Sequence, residues 1–292
     1  MSLTALPKKK VEVLGRQMAY HERGEGQPIL FLHGNPTSSF LWRKVIPELE
    51  GLGRLIAPDL IGTGDSDKLP NVKPDTYSFQ THRYHLWAFI DAVIKPTEKI
   101  LFVIHDWGSA YGFDWAKHNP NRVRGIAYME GIVRPYKSWE EWSAQSVPVF
   151  QGFRSSEGEK MILDENTFVE KVLFGGIPKL TEAEYAEYRR PFLEREDRWP
   201  TLKWPRSIPI AGEPADVVAI VESYAAFMAQ NDIPKFFVSA NPGAILTGAP
   251  REFCRTWKNQ TEITVEGRHF IQESSGAEIG KGIAAWIKEK SL

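Results

Sequence analysis

The feature that most constrains the fold is an apolar run that ends abruptly at a reactive side chain. Residues 100–104 are continuously apolar, which is typical of a strand buried on both faces of a parallel sheet. An HDWG sequence follows at residues 105–108, and residues 110–116 have the apolar spacing of a helix. A strand that turns sharply into a helix with one reactive side chain at the apex is a nucleophile elbow, and the apex here is Asp106.

An aspartate at the apex predicts different chemistry from the usual serine. A serine hydroxyl must lose a proton before it attacks, whereas a carboxylate is already ionised at neutral pH because an ordinary Asp titrates near about 3.9. A carboxylate can attack a saturated carbon that carries a leaving group, or open an epoxide, and leave an alkyl ester on the enzyme. Asp is also a common helix N-cap, but the strand–turn–helix context and the partner residues described below favour a nucleophile at Asp106.

Strands alternate with helices along most of the chain, which predicts an α/β fold with parallel strands and right-handed crossovers. Residues 132–213 differ, because they are rich in Trp, Phe, Glu and Arg and have the pattern of short helices broken by prolines. We therefore predict a core domain formed by residues 1–131 and 214–292, with a helical cap domain of residues 132–213 inserted into it. Within the cap, helices are expected at residues 139–150, 158–162, 168–173 and 182–192, and residues 200–210 return the chain to the core.

Composition narrows the classes of function. The 292 residues carry a formal net charge of -1, so no basic bias favours a nucleic-acid or membrane partner. The single cysteine, Cys254, excludes an intrachain disulfide, and the seven histidines show no metal-ligand spacing, so no metal is expected. No run approaches the roughly 18 apolar residues of a membrane span, and residues 1–10 lack the apolar core of a signal peptide. The expected compartment is the cytoplasm, with the periplasm as the alternative.

Two further residues complete a catalytic constellation. Glu130 ends the predicted strand at residues 123–130, and His269 follows the last predicted strand, at residues 261–265. The carboxyl ends of central strands are where open α/β sheets build their sites. Nucleophile, acid and histidine in this chain order are typical of α/β-hydrolases. In other branches of the α/β-hydrolases the acid follows the strand before the last one, but here that position carries Asn241, so Glu130 is the better candidate.

The chain resembles the haloalkane dehalogenases of the α/β-hydrolase superfamily, in the branch of the lindane-pathway enzyme. The matching sequences run nearly from end to end: HGNPTSS at residues 33–39, GDSDK at 64–68, HDWGS at 105–109, GIAYME at 125–130, IPIAG at 208–212, FCRTW at 253–257 and HFIQ at 269–272. The resemblance implies an α/β-hydrolase fold, with a mostly parallel eight-stranded sheet flanked by helices and covered by a helical cap.

The resemblance also implies roles for five residues. Asp106 matches the nucleophile, which attacks the carbon that bears the halogen. Asn35 and Trp107 match the residues whose side-chain N–H groups bind the departing halide. His269 matches the general base that activates water to hydrolyse the ester, and Glu130 matches the acid that orients its imidazole. The expected reactants are a small halogenated hydrocarbon and water, and the products are a primary alcohol, a halide ion and a proton. No cofactor is expected, and the halide is bound only as a product.

The pocket wall and the assembly state are further expectations from the family pattern. The positions expected to line an apolar pocket are Phe150, Phe168, Pro209 and Ile245, with ordinary core packing as the alternative. The cap departs most from the relatives around residues 174–178, which leaves tunnel width open. The expected assembly is a monomer or a small homo-oligomer, without nucleic acid or membrane.

Four alternative functions share parts of this pattern. An epoxide hydrolase also uses an Asp nucleophile but needs acidic donors in the cap, for which Tyr136, Tyr185 and Tyr188 are candidates. A coelenterazine-type luciferase shares the motif set, and a binding protein on this fold can keep hydrolase residues. A serine esterase acting through Ser109 is disfavoured because Ser109 lies beyond the apex of the elbow.

Overall fold

A computed structural model describes residues 7–292. The first six residues, on which the expectation of no signal peptide partly depends, lie outside this described part. Among residues 7–292, no helix is both long enough and apolar enough to cross a membrane.

Eight strands form one sheet, as expected from the family resemblance. They are β1 (Lys9–Val13), β2 (Arg16–Arg23), β3 (Pro28–Leu32), β4 (Arg54–Pro58), β5 (Ile100–Asp106), β6 (Val123–Gly131), β7 (Lys235–Pro242) and β8 (Gln260–Gly267). Their order across the sheet is β1-β2-β4-β3-β5-β6-β7-β8. β2 pairs antiparallel with both β1 and β4, and every other pairing is parallel. The predicted mostly parallel sheet is therefore confirmed.

Some of the helices flank the sheet, and others form the segment that follows β6. They are α1 (Phe79–Val93), α2 (Trp107–His118), α3 (Val147–Arg154), α4 (Phe174–Gly176), α5 (Glu182–Arg189), α6 (Trp199–Ser207), α7 (Ala215–Gln230), α8 (Gly248–Arg255) and α9 (Ile271–Lys290). Shorter 3-10 segments include Ser39–Lys44 and Ile46–Leu49, where a single helix over residues 39–48 is the sequence expectation. Pro47 at the start of the second segment separates the two, because proline has no N–H to continue the hydrogen-bond ladder.

The central strands are mostly apolar because both of their faces are covered. In β3, Leu30 and Leu32 belong to a core that includes residues of α1, α2 and α7. Their neighbours Ile29 and Phe31 belong to a second core on the opposite face, which is covered by α9. Successive side chains of a strand point to opposite faces, so a strand between two helical layers must be apolar at every position.

Residues 132–213 contain helices, turns and isolated bridges but no named strand. The two ends of this segment lie side by side, because the Tyr136 N–H donates to the Pro209 carbonyl at 2.9 Å and the Ala211 N–H donates to the Tyr136 carbonyl at 2.9 Å. An insertion that leaves and rejoins the core at one place has this geometry.

Two segments of this insertion are π-helical, namely Lys160–Asp164 and Phe168–Leu173. In the first, the Glu165 N–H donates to the Lys160 carbonyl at 3.0 Å. In the second, the Phe174 N–H donates to the Val169 carbonyl. These bonds span five residues, and such turns occur frequently at functional sites.

Several helices depart from the sequence expectation, and a proline is involved in two of the cases. α4, α6 and α8 are missing from the prediction, and the helix expected over residues 139–150 is instead the 3-10 turn Trp139–Glu141 followed by α3. Pro200 and Pro148 lie in the first turns of α6 and α3. Since the first N–H groups of a helix have no intrahelical partner, proline costs little there and helps to start the helix.

A buried ion-pair network around Glu273, in the first turn of α9, joins residues 132–213 to the rest of the chain. The carboxylate of Glu273 accepts from Arg43 Nη2 at 2.8 Å and from the Tyr188 hydroxyl of α5. Arg43 Nη2 also donates to Glu184 Oε1 at 2.6 Å. The side chain of Glu273 is fully buried and that of Arg43 is nearly so. The network therefore joins the Ser39–Lys44 segment, α5 and α9 close to His269.

Glu273→Gln is expected to lower the free energy of unfolding by about 3 kcal/mol, because it removes one partner of a buried charge pair and leaves Arg43 with the half-buried Glu184 only. Urea denaturation followed by circular dichroism measures the change. Glu278→Gln, at an exposed position of the same helix, is the matched control and should leave the denaturation midpoint in place. Equal midpoints for the two variants would show that the network contributes nothing.

Candidate active site

The predicted elbow is present at the junction of β5 and α2. Asp106 has a φ of 51° and a ψ of -128°, a conformation that residues with a side chain rarely adopt. Close packing against this turn requires two glycines. A Cβ atom on Gly108 would lie 2.2 Å from the Leu32 carbonyl oxygen, and one on Gly34 would lie 2.0 Å from Asp106 Oδ1. The backbone of Asp106 is therefore strained, and the close packing of the elbow places its carboxylate against the loop that follows β3.

The carboxylate of Asp106 is held by hydrogen-bond donors on both sides. The backbone N–H of Asn35 donates to Oδ1 at 2.7 Å, and Oδ2 lies 3.4 Å from His269 Nε2. Burial alone would raise the pKa of Asp106, but the contacts with His269 and the backbone N–H of Trp107 outweigh burial and lower it. Asp106 is therefore ionised at neutral pH, the state that a carboxylate nucleophile requires.

His269 lies between two carboxylates. Its Nδ1 is 3.3 Å from Glu130 Oε2, on the side opposite Asp106. Glu130 is fully buried at the end of β6, and its Oε2 also accepts from the backbone N–H groups of Ala244 at 3.0 Å and Ile245 at 2.9 Å. The alternative acid position, Asn241, instead donates to Glu266 on the surface. The side chains predicted as nucleophile, base and acid are therefore adjacent.

The two carboxylates control the charge of His269. Burial opposes protonation, but the hydrogen bonds and charges of Asp106 and Glu130 raise the pKa of His269 to about 9. The imidazole is thus protonated at neutral pH while Asp106 is ionised. Because this pKa is raised above the ordinary value near 6.5, the pairing stabilises the fold fully below about pH 6.5. That contribution is lost as the pH rises through about 9.

Asp106→Asn is expected to lower the pKa of His269 below its wild-type value of about 9, because one of the two neighbouring negative charges disappears. Titration of the imidazole by ¹H–¹⁵N NMR measures the midpoint in both proteins. Asp91→Asn, on the exposed side of α1, is the control and should not move it. If the midpoint in Asp106→Asn equals that of the wild type, Asp106 does not set the charge of His269.

The side chain of His105 contacts His269 and helps to hold it in place, a role that the sequence reasoning missed. Its Nε2–H donates to the backbone carbonyl of His269 at 2.9 Å, and the centroids of the two rings are 4.6 Å apart. Burial lowers the pKa of His105 to about 3, so the ring stays neutral beside the charged His269. The available signal was a histidine inside an otherwise apolar buried strand, directly before the nucleophile.

Asn35 and Trp107 both line the cavity that contains Asp106. Asn35 Nδ2 makes only a long contact of 3.5 Å, to the Thr201 carbonyl. Within residues 7–292, the indole N–H of Trp107 has no hydrogen-bond partner. Two side-chain N–H donors are therefore available beside the nucleophile, at the positions that the family resemblance assigns to halide binding.

The cavity has a volume of about 530 Å³ and mostly apolar walls. Of the four residues predicted for the wall, Phe150, Phe168 and Ile245 line it. Pro209 does not, so this prediction is wrong. The Pro209 carbonyl accepts a hydrogen bond from the Tyr136 backbone N–H, and its neighbour Ile208 lines the cavity instead. Further apolar wall residues that sequence reasoning missed are Ile132, Trp142, Val149, Val172, Pro205 and Phe270.

The three tyrosines considered as epoxide-activating acids do not line this cavity. The Tyr136 hydroxyl donates to the Ile245 carbonyl at 2.9 Å, and the Tyr188 hydroxyl donates to Glu273. The Tyr185 hydroxyl accepts from the Leu180 N–H at 3.3 Å. None of them is placed to protonate an epoxide oxygen at Asp106, which disfavours the epoxide hydrolase interpretation.

Ser109 also lies outside the cavity lining. Its hydroxyl donates to the Asp106 carbonyl at 2.5 Å and accepts from the Ile132 N–H at 2.9 Å, so it braces the elbow. Residues 7–292 contain no group of three or more His, Cys, Asp or Glu side chains that could hold a metal ion.

The sheet topology, the elbow and the acid–histidine pair define an α/β-hydrolase, and the family model for the alpha/beta hydrolase fold matches residues 27–275. A haloalkane dehalogenase from Sphingobium indicum is 55% identical over 293 residues, which cover 99% of this chain and 98% of that protein. A haloalkane dehalogenase from Mycolicibacterium smegmatis is 48% identical over 282 residues, which cover 95% and 90%. The chain belongs to the haloalkane dehalogenase family.

Solved structures agree with this assignment. The crystal structure of haloalkane dehalogenase DbeA from Bradyrhizobium elkani superposes with a TM-score of 0.92 at 41% identity, covering 97% of this chain and 98% of that one. The crystal structure of DatA, a haloalkane dehalogenase from Agrobacterium tumefaciens, superposes with a TM-score of 0.90 at 33% identity, covering 97% and 96%.

Proposed function

We propose that this chain hydrolyses terminal haloalkanes to a primary alcohol, a halide ion and a proton through a covalent alkyl ester on Asp106. The observation that carries the proposal is the position of the ionised Asp106 carboxylate. It faces an apolar cavity, with two side-chain N–H donors beside it and His269 Nε2 at 3.4 Å. An apolar cavity suits an uncharged haloalkane, and the carboxylate is the only strong nucleophile that lines it in the described chain.

The first step is an in-line displacement at carbon. Oδ1 of Asp106 is held by the Asn35 N–H, so Oδ2 is the oxygen we assign to the attack. A carbon–oxygen bond forms, the carbon–halogen bond breaks, and the halide leaves with the bonding pair. Negative charge grows on the halogen only as this bond breaks, so N–H donors from Asn35 and Trp107 stabilise the transition state more than the substrate.

The second step hydrolyses the ester. It can begin only after Asp106 has lost its negative charge by esterification. Esterification removes one of the two negative charges that hold the pKa of His269 near 9, so the imidazole releases its proton and becomes a base. Its Nε2 then takes a proton from water, whose oxygen attacks the ester carbon. The resulting oxyanion meets the Asn35 N–H, and Glu130 stabilises the new imidazolium. Collapse breaks the bond between the ester carbon and the alkyl oxygen, and the leaving alkoxide takes the proton of the added hydroxyl. This releases the alcohol and restores the carboxylate beside the imidazolium.

The reaction closes with water as the only co-substrate, so the proposal includes no metal or organic cofactor. It assigns residues 132–213 the role of a cap that covers Asp106 and excludes bulk water. Phe150 and Phe168, which line the cavity, both come from this segment. A dry site strengthens the interaction of fixed N–H donors with a developing anion.

Purified protein is expected to release halide and protons from bromohexane and iodohexane, and to leave styrene oxide and an aromatic ester unchanged. Ion chromatography of bromide and a pH indicator measure the two products. Diol formation from styrene oxide without any halide would support an epoxide hydrolase instead. Light emission with coelenterazine and no halide would support the luciferase interpretation.

A further inference from the structure

The charged residues around the cavity are unevenly distributed. Apart from Asp106 and His269, the only charged side chains that line it within residues 7–292 are Lys171 and Arg268. Both are solvent-exposed, whereas the apolar wall residues Phe168 and Phe270 are buried. Lys171 and Arg268, called here the mouth cations, therefore mark the place where the cavity meets solvent.

The mouth cations have no partner in the described chain. Neither side chain makes a hydrogen bond, an ion pair or a ring contact with residues 7–292. Most other arginines do, and Arg189 on the neighbouring α5, for example, pairs with Glu170 at 2.6 Å. Two unpaired cations on one cavity, with no lining carboxylate except the nucleophile, create a positive potential that attracts anions.

Much of the remaining wall is apolar, with Val149, Phe150, Phe168 and Val172 among its residues. A ligand that matches these residues has a carbon–halogen bond at Asp106, an alkyl chain against the apolar wall and a negative group at the exposed mouth cations. The polar side chains Gln145 and Thr247 also line the cavity and can donate hydrogen bonds to such a group.

We propose that the mouth cations bind the anionic end of halogenated substrates, so that ω-haloalkanoates are a preferred substrate class. The inference rests on the proposed dehalogenation at Asp106 and adds a recognition site where the cavity meets solvent. The attraction acts before and during chemistry alike, so it lowers KM more than it raises kcat. Because both cations are exposed, added salt weakens it.

The test compares an ω-bromoalkanoate with the neutral bromoalkane of the same chain length, across a homologous series. The measured quantity is the ratio of their kcat/KM values, which corrects for any general effect on the cavity. The ratio is expected to fall about tenfold in the double variant Lys171→Gln, Arg268→Gln, since each exposed charge contact contributes a few-fold. It is also expected to fall in the wild type at ~1 M salt, where charges more than about 3 Å apart are screened.

Two controls separate charge from shape. Lys171→Arg with Arg268→Lys keeps both charges and should retain most of the preference. Lys179→Gln removes an exposed charge from the same part of the chain but outside the cavity lining, and should leave the ratio at the wild-type value. An unchanged ratio in the double glutamine variant, with bromoalkane still hydrolysed, overturns the proposal and leaves the dehalogenase function standing. No halide from either substrate refutes the dehalogenase function itself.

The anion bound by the mouth cations could instead be the departing halide rather than the carboxylate of the substrate. Inhibition of the enzyme by added bromide distinguishes these two anions. Weaker bromide inhibition and an equal drop in kcat for both substrates, without a change in their kcat/KM ratio, would overturn the proposed substrate class. A selective rise of KM for the anionic substrate, with bromide inhibition unchanged, would support it.

Discussion

Asp106→Ala is expected to lower the rate of halide release by roughly 10⁴-fold or more, because the covalent route loses its only nucleophile. The fold should persist. The variant removes a buried charge and keeps Gly34 and Gly108, which give the elbow its clearance. Halide release by ion chromatography and the unfolding temperature by calorimetry measure the two effects.

Asp91→Ala, at an exposed position of α1, is the matched control and should keep wild-type turnover. Halide release by Asp106→Ala within about tenfold of the wild type would contradict a covalent mechanism. Such a result would favour direct attack by water, which needs only a base and a halide site. A collapse of the unfolding temperature would show that Asp106 has a structural role as well.

His269→Gln is expected to stop turnover after one equivalent of halide. Attack by Asp106 needs a carboxylate and no base, so the first step continues, whereas hydrolysis loses the group whose Nε2 lies 3.4 Å from Asp106 Oδ2. The alkyl ester should then accumulate. Rapid-quench halide measurement detects the burst, and intact-protein mass spectrometry detects a mass gain of one alkyl group, located at Asp106 by peptide mapping.

His118→Gln, at the exposed end of α2, controls for the loss of a histidine and should turn over normally. Continued multiple turnover by His269→Gln at the wild-type rate would contradict the assignment of His269 as the base. The absence of both a burst and an adduct would show that His269 is also needed for the first step, for example to orient Asp106.

The sheet and the placement of Asp106, Glu130 and His269 along one of its edges could be predicted because their signals are local in the sequence. Asp106 and Glu130 lie at the carboxyl ends of the buried, mostly apolar strands β5 and β6, and His269 comes shortly after the edge strand β8. The carboxyl ends of parallel strands share one edge of the sheet, so residues far apart in sequence meet there. The family motifs added Asn35 and Trp107, which no periodicity could have identified.

The insertion was harder to predict, because its helices are short and rich in proline. A proline is read as a helix breaker unless the helix start is known, and Pro200 in the first turn of α6 misled the prediction for this reason. The error at Pro209 has a related origin. Which of two adjacent buried residues faces a cavity depends on tertiary packing, and Ile208 rather than Pro209 does so here.

The network around Glu273 was also beyond sequence reasoning. Arg43, Glu184 and Glu273 come from three separate parts of the chain, and charged residues in helices are usually solvated. The partners of Glu130 were hidden as well, since they are the backbone N–H groups of Ala244 and Ile245 and have no side-chain signature.

The two π-helical segments suggest how relatives of this protein can diverge. Each π turn holds one residue more than an α-helical turn would, and an α-helix rotates by about 100° per residue. Deleting a single residue from Phe168–Leu173 would return the turn to α-helical spacing and rotate the side chains that follow it. One codon gained or lost would thus replace a section of the cavity wall while the sheet and its catalytic edge stay unchanged. A change in chain length at such a turn would therefore alter the cavity wall more than a point substitution does.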